Sequence, residues 1–199
     1  MQEQPRWFTE TDPGHSEWYA EHFREMTAAG EDTSGEARLI DAIVAPGSRI
    51  LDAGCGQGRT AGELSRRGHH VVGVDIDDHL IEAAKQDHSG PTYIRADLST
   101  LDLTKAGEPG LFDAAVSAGN VITFVAPGTE VAALTSIGAH LRPDGVCVIG
   151  FHTERYDVSQ FDNHIKQTRF ELESRFATWD LRPWRDNADF CVSILRVPG

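Results

Sequence analysis

Apolar residues recur along this chain in two alternating kinds of run. From residue 49 onward, short blocks of consecutive apolar positions appear as RILDA, HVVGVD, TYIRAD, a stretch within LFDAAVSAGNVITF, and GVCVIGF. Blocks this short and this continuous suit strands buried on both faces. The segments between them carry helical spacing. They predict helices from about Arg59 to Arg67, ended by Gly68, across DDHLIEAAKQD, and from about Thr129 to Leu141, stopped by the turn LRPDG. Five strands separated by crossovers predict a parallel sheet.

The two ends of the chain follow other patterns. Between residues 15 and 45 the spacing is helical, with Trp18, Tyr19, His22, Phe23 and Met26 on one face and a second helix in GEARLIDAIVAP that stops before Pro46. In RFELESRF, Phe170, Leu172 and Phe176 alternate with charged residues, a period of two that suits a strand with one wet face. After the turn-rich WDLRPWRDNAD, the run FCVSILRV reads as its partner. An antiparallel pair is expected to close one edge of the sheet. The expected organisation is a single domain over residues 1–199, with a helical cap at 1–45 and an α/β core at 46–199.

Composition narrows the function classes. A length of 199 residues suits one α/β domain with a substantial core. No run approaches the roughly 18 apolar residues of a membrane helix, and the first residues lack the basic start and apolar stretch of a secretory signal. A soluble, cytoplasmic protein without membrane contact is the expectation. The formal net charge of -13 opposes nucleic-acid binding, which depends on clustered Lys and Arg. Cys55, Cys147 and Cys191 form no CxxC pair, and the latter two sit in apolar runs as buried thiols. His69 and His70 lie in the turn leading into the second strand, where an exposed position and no metal site are expected. Trp179 and Trp184 either cover the open end of the sheet or form a partner surface.

The chemistry concentrates in RILDAGCGQGRTAGEL. Gly56, Gly58 and Ala61 satisfy GxGxxA, and Asp75 ends the next strand, where a dinucleotide site keeps its ribose-binding acid. A nicotinamide- or flavin-dependent oxidoreductase is therefore one reading. Asp52 shifts the balance, because a carboxylate before the first glycine gains nothing beside a pyrophosphate but suits an amine or sulfonium. Asp97 shifts it further. It ends the third strand as Asp75 ends the second, placing one acid for ribose hydroxyls and one for an adenine amine, unless it only starts the next loop through an Asx turn.

The motifs ILDAGCGQG, VVGVDID, IRADL, FDAAVSAGNVITF and LRPDGVCVIGF occur in the order and spacing of the class I S-adenosylmethionine-dependent methyltransferases, which the chain resembles from about residue 49 to 151. The resemblance implies a Rossmann-like, doubly wound, seven-stranded sheet with helices on both faces and the last strand antiparallel. It implies that S-adenosylmethionine is the cofactor and S-adenosylhomocysteine the product. By matching position, Ala53, Gly54 and Gly56 would line the methionine and ribose portion with Asp52 near the amine. Asp75 would bind the ribose hydroxyls, Ile76 the adenine face, Asp97 the adenine amine, Leu98 the adenine through its backbone, and Ser117 the methionine part through its carbonyl. Tyr19 joins this set as a lid over the cofactor, with Trp18 beside it, or both are core of a helix packed on the sheet.

The acceptor side is less defined. Its pocket is expected above the fourth and fifth strands, under the N-terminal helix, with Asn120, His152 and Tyr156 as candidates. SAGN stands where nucleic-acid and amide methylases carry [DN]PP[YFW], which together with the negative charge points to a small molecule. A noncatalytic protein that binds S-adenosyl ligands has the same cofactor motifs. Asp113, at the start of the fourth strand, faces away from the site and reads as structural.

Overall fold

The computed structural model of the chain describes residues 3–199. Seven strands form one sheet: β1 (Arg49–Ala53), β2 (His70–Asp75), β3 (Thr92–Arg95), β4 (Phe112–Ser117), β5 (Leu141–His152), β6 (Glu171–Phe176) and β7 (Phe190–Arg196). Their order is β3-β2-β1-β4-β5-β7-β6. The first five pair in parallel, and β7 runs antiparallel between β5 and β6. The expected doubly wound sheet and its antiparallel last strand are both present.

Strand alternation sends side chains to two cores. Ile50, Val71, Ala114 and Val148 meet α3 (Gly35–Ile43), α4 (Arg59–Arg66) and α5 (Asp78–Asp87) on one face. Leu51, Val72, Ala115 and Cys147 meet α7 (Glu130–Ala139) and α8 (Val158–Ile165) on the other. All three thiols are buried. Helix α4 stops in a Schellman arrangement at Gly68, where the Gly68 amide donates to Ser65 O (3.0 Å) and the His69 amide to Leu64 O (3.2 Å). Helix α5 starts on Asp77, whose carboxylate accepts from the His79 and Leu80 amides. Asp113 accepts from the Arg49 amide (2.6 Å) and pairs with Arg142, at the opposite end of β4 from its carboxyl terminus.

Several expectations require correction. LRPDG does not precede the fifth strand but lies within β5: the pairing shifts from Phe112↔Leu141 to Ala114↔Val146, and the intervening residues bulge through Asp144 at φ 62°. Helix α2 (His15–Ala28) rests on α5 rather than on the sheet, so Ala20 is its buried residue and Trp18, 58% exposed, is not core. His69 is buried against Asp41 (3.0 Å) instead of lying exposed. The alternating face expected for β6 is buried only at its ends: Phe170 is core and Phe176 packs on a core, whereas Leu172, where the edge strand's register slips toward Ser174, is exposed. Trp179 lies over Gly150 and Trp184 packs on a core, so both cover the sheet. Helices α1 (Arg6–Thr9), α6 (Val121–Phe124) and α8 join the architecture without having been expected. No described helix is long and apolar enough to cross a membrane.

The contrast between core and edge is measurable. Phe161, fully buried and edge-on to Phe151 at 4.9 Å, should cost about 3–5 kcal/mol of unfolding free energy when replaced by Ala. Leu172→Ala on the edge strand should cost about 0.5 kcal/mol or less by the same denaturant titration. Equal losses would contradict the edge assignment.

Candidate functional site

Between β1 and β4, neighbours in the sheet, the winding reverses, and a doubly wound sheet opens a crevice at the carboxyl ends of such strands. The glycine turn after β1, Asp75 at the end of β2, Asp97 after β3 and Ala118–Gly119 after β4 all reach this crevice. It holds a cavity with an empty volume of about 620 Å³ including its open mouth, a size that suits a small ligand. Gly54, Gly56, Asp75, Ile76, Asp97 and Leu98 form one wall, and Trp7, Tyr19, Val121 and Phe124 form the roof.

Asp75 is held by backbone donors on both oxygens: Gly56 N to Oδ2 at 2.8 Å and Asp77 N to Oδ1 at 3.0 Å. Burial pushes its carboxyl up to about 6, against the pull of those amides. A carboxylate fixed this way presents its remaining lone pairs to hydroxyl donors. Asp97 makes the Asx turn and lines the cavity as well. Its Oδ1 accepts from the Ser99 amide and hydroxyl, both at 2.8 Å, as an Asx cap of the 3-10 turn at residues 98–100, while the residue also lines the cavity.

Three of the residues named from the sequence lie outside this wall. Ala53 is fully buried within β1, and Ser117 is buried inside β4, so Ala118 and Gly119 take the place expected for Ser117. Asp52 opens instead onto a small adjoining pocket shared with Tyr19, Gln57, Arg59, Thr60 and Ala118. Its Oδ2 is buried and has no hydrogen-bond partner among the described residues. Burial pushes its carboxyl up to about 7, opposed by the Arg59 guanidinium. Arg59 does not neutralise Asp52, because it is already paired with both oxygens of Glu36 at 2.8 and 2.5 Å. An ammonium group entering this pocket would satisfy the orphaned oxygen, and the residues fit the amino-acid end of an S-adenosyl cofactor.

The glycines serve protein packing as much as ligand approach. Gly54, at φ +86°, leaves room for the Val121 side chain, which a Cβ would strike. At Gly58, also at φ +86°, a Cβ would lie 2.6 Å from the Tyr93 hydroxyl and 2.9 Å from Ala84 Cβ. Tyr19 packs over the turn: a Cβ at Gly56 would meet its Cε1 at 3.4 Å, and one at Gly119 would meet its hydroxyl at 3.5 Å. Burial raises its pKa, so it stands over the cavity as a neutral phenol.

The three acceptor-side candidates do not converge. Asn120, at φ 66°, spends its carbonyl on the His152 amide (2.7 Å), tying the end of β4 to the end of β5. His152 is exposed and edge-on to Phe190. Tyr156 is buried with its hydroxyl on His164 Nδ1, and it lines a second cavity with an empty volume of about 730 Å³ including its open mouth. That cavity is polar. Arg6 pairs there with Glu130 (3.0 Å), Arg155 with Glu10 (3.2 Å), and Glu154 and Gln160 complete the rim. Helix α6 is the partition: Val121 and Phe124 face the crevice cavity, whereas Ile122 and Thr123 face the polar one. Helix α1 repeats the arrangement with Trp7 on one side and Arg6 on the other. Trp7, Phe124, Arg59 and Arg155 carried no local signal in the sequence. Their roles depend on contacts between distant segments.

Residues 50–145 match the family model of the methyltransferase domain. The chain is 43% identical to a TehB-like SAM-dependent methyltransferase from Corynebacterium glutamicum of known structure, with a TM-score of 0.86 over 92% of this chain and 98% of that one. It is 38% identical over 109 residues to magnesium-protoporphyrin O-methyltransferase of Rhodobacter capsulatus, covering 52% of this chain and 46% of that protein. The chain thus spans about half the length of the curated relatives it matches. It shares its fold with SAM-bound CalS10, an amino pentose methyltransferase from Micromonospora echinaspora, at a TM-score of 0.68 and 16% identity over 88% and 96% of the two chains.

The buried acids give the ligand-free protein a defined pH response. Both Asp52 and Asp75 have folded-state values raised above the ordinary carboxylate value, to about 7 and about 6. The folded state therefore binds more protons than the unfolded one between about pH 4 and 7, and stability falls as pH rises through that window. Asp52→Asn should flatten this dependence and raise stability at pH 8 by on the order of 3 kcal/mol, measured by urea unfolding at pH 5 and pH 8. Parallel pH profiles for the two proteins would refute a strained Asp52.

Proposed function

We propose that this chain, which belongs to the S-adenosylmethionine-dependent methyltransferases, transfers the cofactor's methyl group to a small polar molecule. The observation that carries the cofactor orientation is the unpaired, buried oxygen of Asp52 beside a cavity walled by Asp75 and Asp97. The cofactor's amino-acid end would lie toward Asp52, its ribose on Asp75, and its adenine between Ile76 and Leu98 with the exocyclic amine toward Asp97. A pyrophosphate laid along the same turn would face Asp52 as a like charge, which disfavours nicotinamide and flavin dinucleotides.

Bound S-adenosylmethionine supplies a methyl group on a sulfonium, a leaving group that needs no proton. The chain's own residues then act by exclusion and alignment. Trp7, Tyr19 and Phe124 shield the crevice from water, and a neutral Tyr19 hydroxyl can orient an acceptor without acting as a base. The polar cavity supports a small polar acceptor. It lies beyond β4 and β5 under α1, and its arginines and carboxylates present both charge signs. Because α6 partitions that cavity from the crevice, the acceptor's reacting atom must lie on the crevice side beside Tyr19. We place only the recognition of its polar remainder in the polar cavity, with Glu130 and Arg155 as its contacts. The acidic chain as a whole supports a small molecule over a nucleic acid.

Two measurements test this reading. S-adenosylhomocysteine should raise the melting temperature, NAD(P) and FAD should not, and Asp75→Ala should abolish the shift. Incubation of labelled S-adenosylmethionine with a small-metabolite extract should yield labelled product. Glu130→Gln should lower that yield about tenfold or more while leaving the thermal shift intact. Cofactor binding without labelled product from any extract would favour a noncatalytic ligand-binding protein.

A further inference from the structure

Asp77 has twice the hydrogen-bonding capacity that its place in the chain requires. As the N-cap of α5 it uses one carboxylate oxygen, Oδ1, which accepts from His79 N at 2.8 Å and Leu80 N at 3.2 Å. A serine, threonine or asparagine caps a helix as well. The second oxygen, Oδ2, reaches out of the local sequence altogether. It accepts from the Trp7 indole at 2.7 Å and from the Ser16 hydroxyl, donors that stand 70 and 61 residues away. Asp77 is 5% exposed. Burial alone would raise its pKa, but the Ser16 and Trp7 donors and the helix amides outweigh that and hold the carboxylate ionised.

The same residue touches the floor of the site through its backbone, since its amide donates to Asp75 Oδ1. One residue therefore orients the carboxylate proposed for ribose and anchors the roof above it. Trp7 is the centre of that roof, edge-on to Tyr19 at 5.8 Å and to Phe124 at 5.4 Å. Trp7 and Tyr19 pack with Ala20, Leu80 and Ala83 in an apolar cluster separate from the two sheet cores. The roof thus has little burial of its own, and the bonds at Asp77 carry much of its attachment on this side.

We propose that Asp77 is a positioning residue that latches the N-terminal roof over the cofactor cavity and sets how fast cofactor and product exchange. The inference rests on the assignment of the crevice to S-adenosyl ligands. When Oδ2 is bonded to Trp7 and Ser16, the roof is closed and Asp75 is aligned. Breaking those two bonds loosens Trp7 and the start of α2 over the cavity, while α1 stays tethered on its far side by Arg6 to Glu130 and the Val125 carbonyl and α5 keeps its cap.

The test is the dissociation rate of radiolabelled S-adenosylhomocysteine, followed by rapid filtration after a chase with unlabelled ligand. Asp77→Ser retains a capping oxygen but loses the reach to Trp7 and Ser16, and Trp7→Phe retains an aromatic ring but loses the indole donor. Each should speed dissociation about tenfold, the worth of one hydrogen bond to a charged group, while the ligand-free melting temperature stays close to wild type. The double variant should be no faster than Asp77→Ser alone, because that change already removes the bond that Trp7→Phe breaks. The latch is overturned if dissociation is unchanged in the single variants, if their effects multiply, or if the loss follows a fall in ligand-free stability that Asp77→Asn, which also caps, does not restore. Failure of the cofactor assignment is separable, because it is read from the wild type and Asp75→Ala, which report whether S-adenosylhomocysteine binds there at all.

Discussion

A carboxyl group with one oxygen left without a partner sits at the point where the sheet reverses its winding. Asp52 ends up there because β1 must deliver the chain into the crevice, and its side chain points to the α4 face, away from solvent. An isolated buried anion is disfavoured by several kcal/mol unless it is paired, so the group moves toward its protonated form instead. The nearby cation does not relieve it. Arg59 is committed to Glu36 on α3, and that pair ties the helical cap to the glycine turn. The geometry therefore keeps an unmet local charge demand at the edge of the small pocket that Asp52 lines.

The parts of this arrangement that could be read from the sequence are those whose cause is local. Each strand of the parallel sheet announces itself because burial on both faces removes polar residues from its run. Asp75 and Asp97 were visible because strand ends fall at predictable places. The glycines were visible as a turn, but their contacts were not: Gly54 accommodates Val121 and Gly58 accommodates Tyr93, partners 67 and 35 residues away by subtraction of their numbers. Trp18 misled for the converse reason. Its helical spacing is sound, yet α2 lies on α5 rather than on the sheet, and periodicity cannot say which surface a helix meets. His69 and Asn120 owe their behaviour to single distant partners, Asp41 and the His152 backbone. Helix α1 has only four residues, too few for any periodic pattern to appear.

The matched family segment and the two cavities divide the molecule in a similar way. Residues 50–145 contain the crevice wall with Asp75 and Asp97. The polar cavity draws Arg6, Glu10, Glu154, Arg155, Tyr156 and Gln160 from outside that segment. Its ion pairs are not strong stabilisers, since partly exposed pairs contribute little. Their arrangement matters more as a pattern of charge that a particular acceptor can match.

Helix α6 couples the two cavities mechanically. Of four consecutive residues, Val121 and Phe124 face the crevice and Ile122 and Thr123 the polar cavity, and Val121 also fills the space above Gly54. A substitution in α6 that reshapes one cavity therefore shifts the wall of the other, and α1 carries the same constraint through Trp7 and Arg6. The loop after β5 does not: Glu154, Arg155 and Tyr156 line the polar cavity alone, so its shape and charge can be changed there without moving the glycine turn.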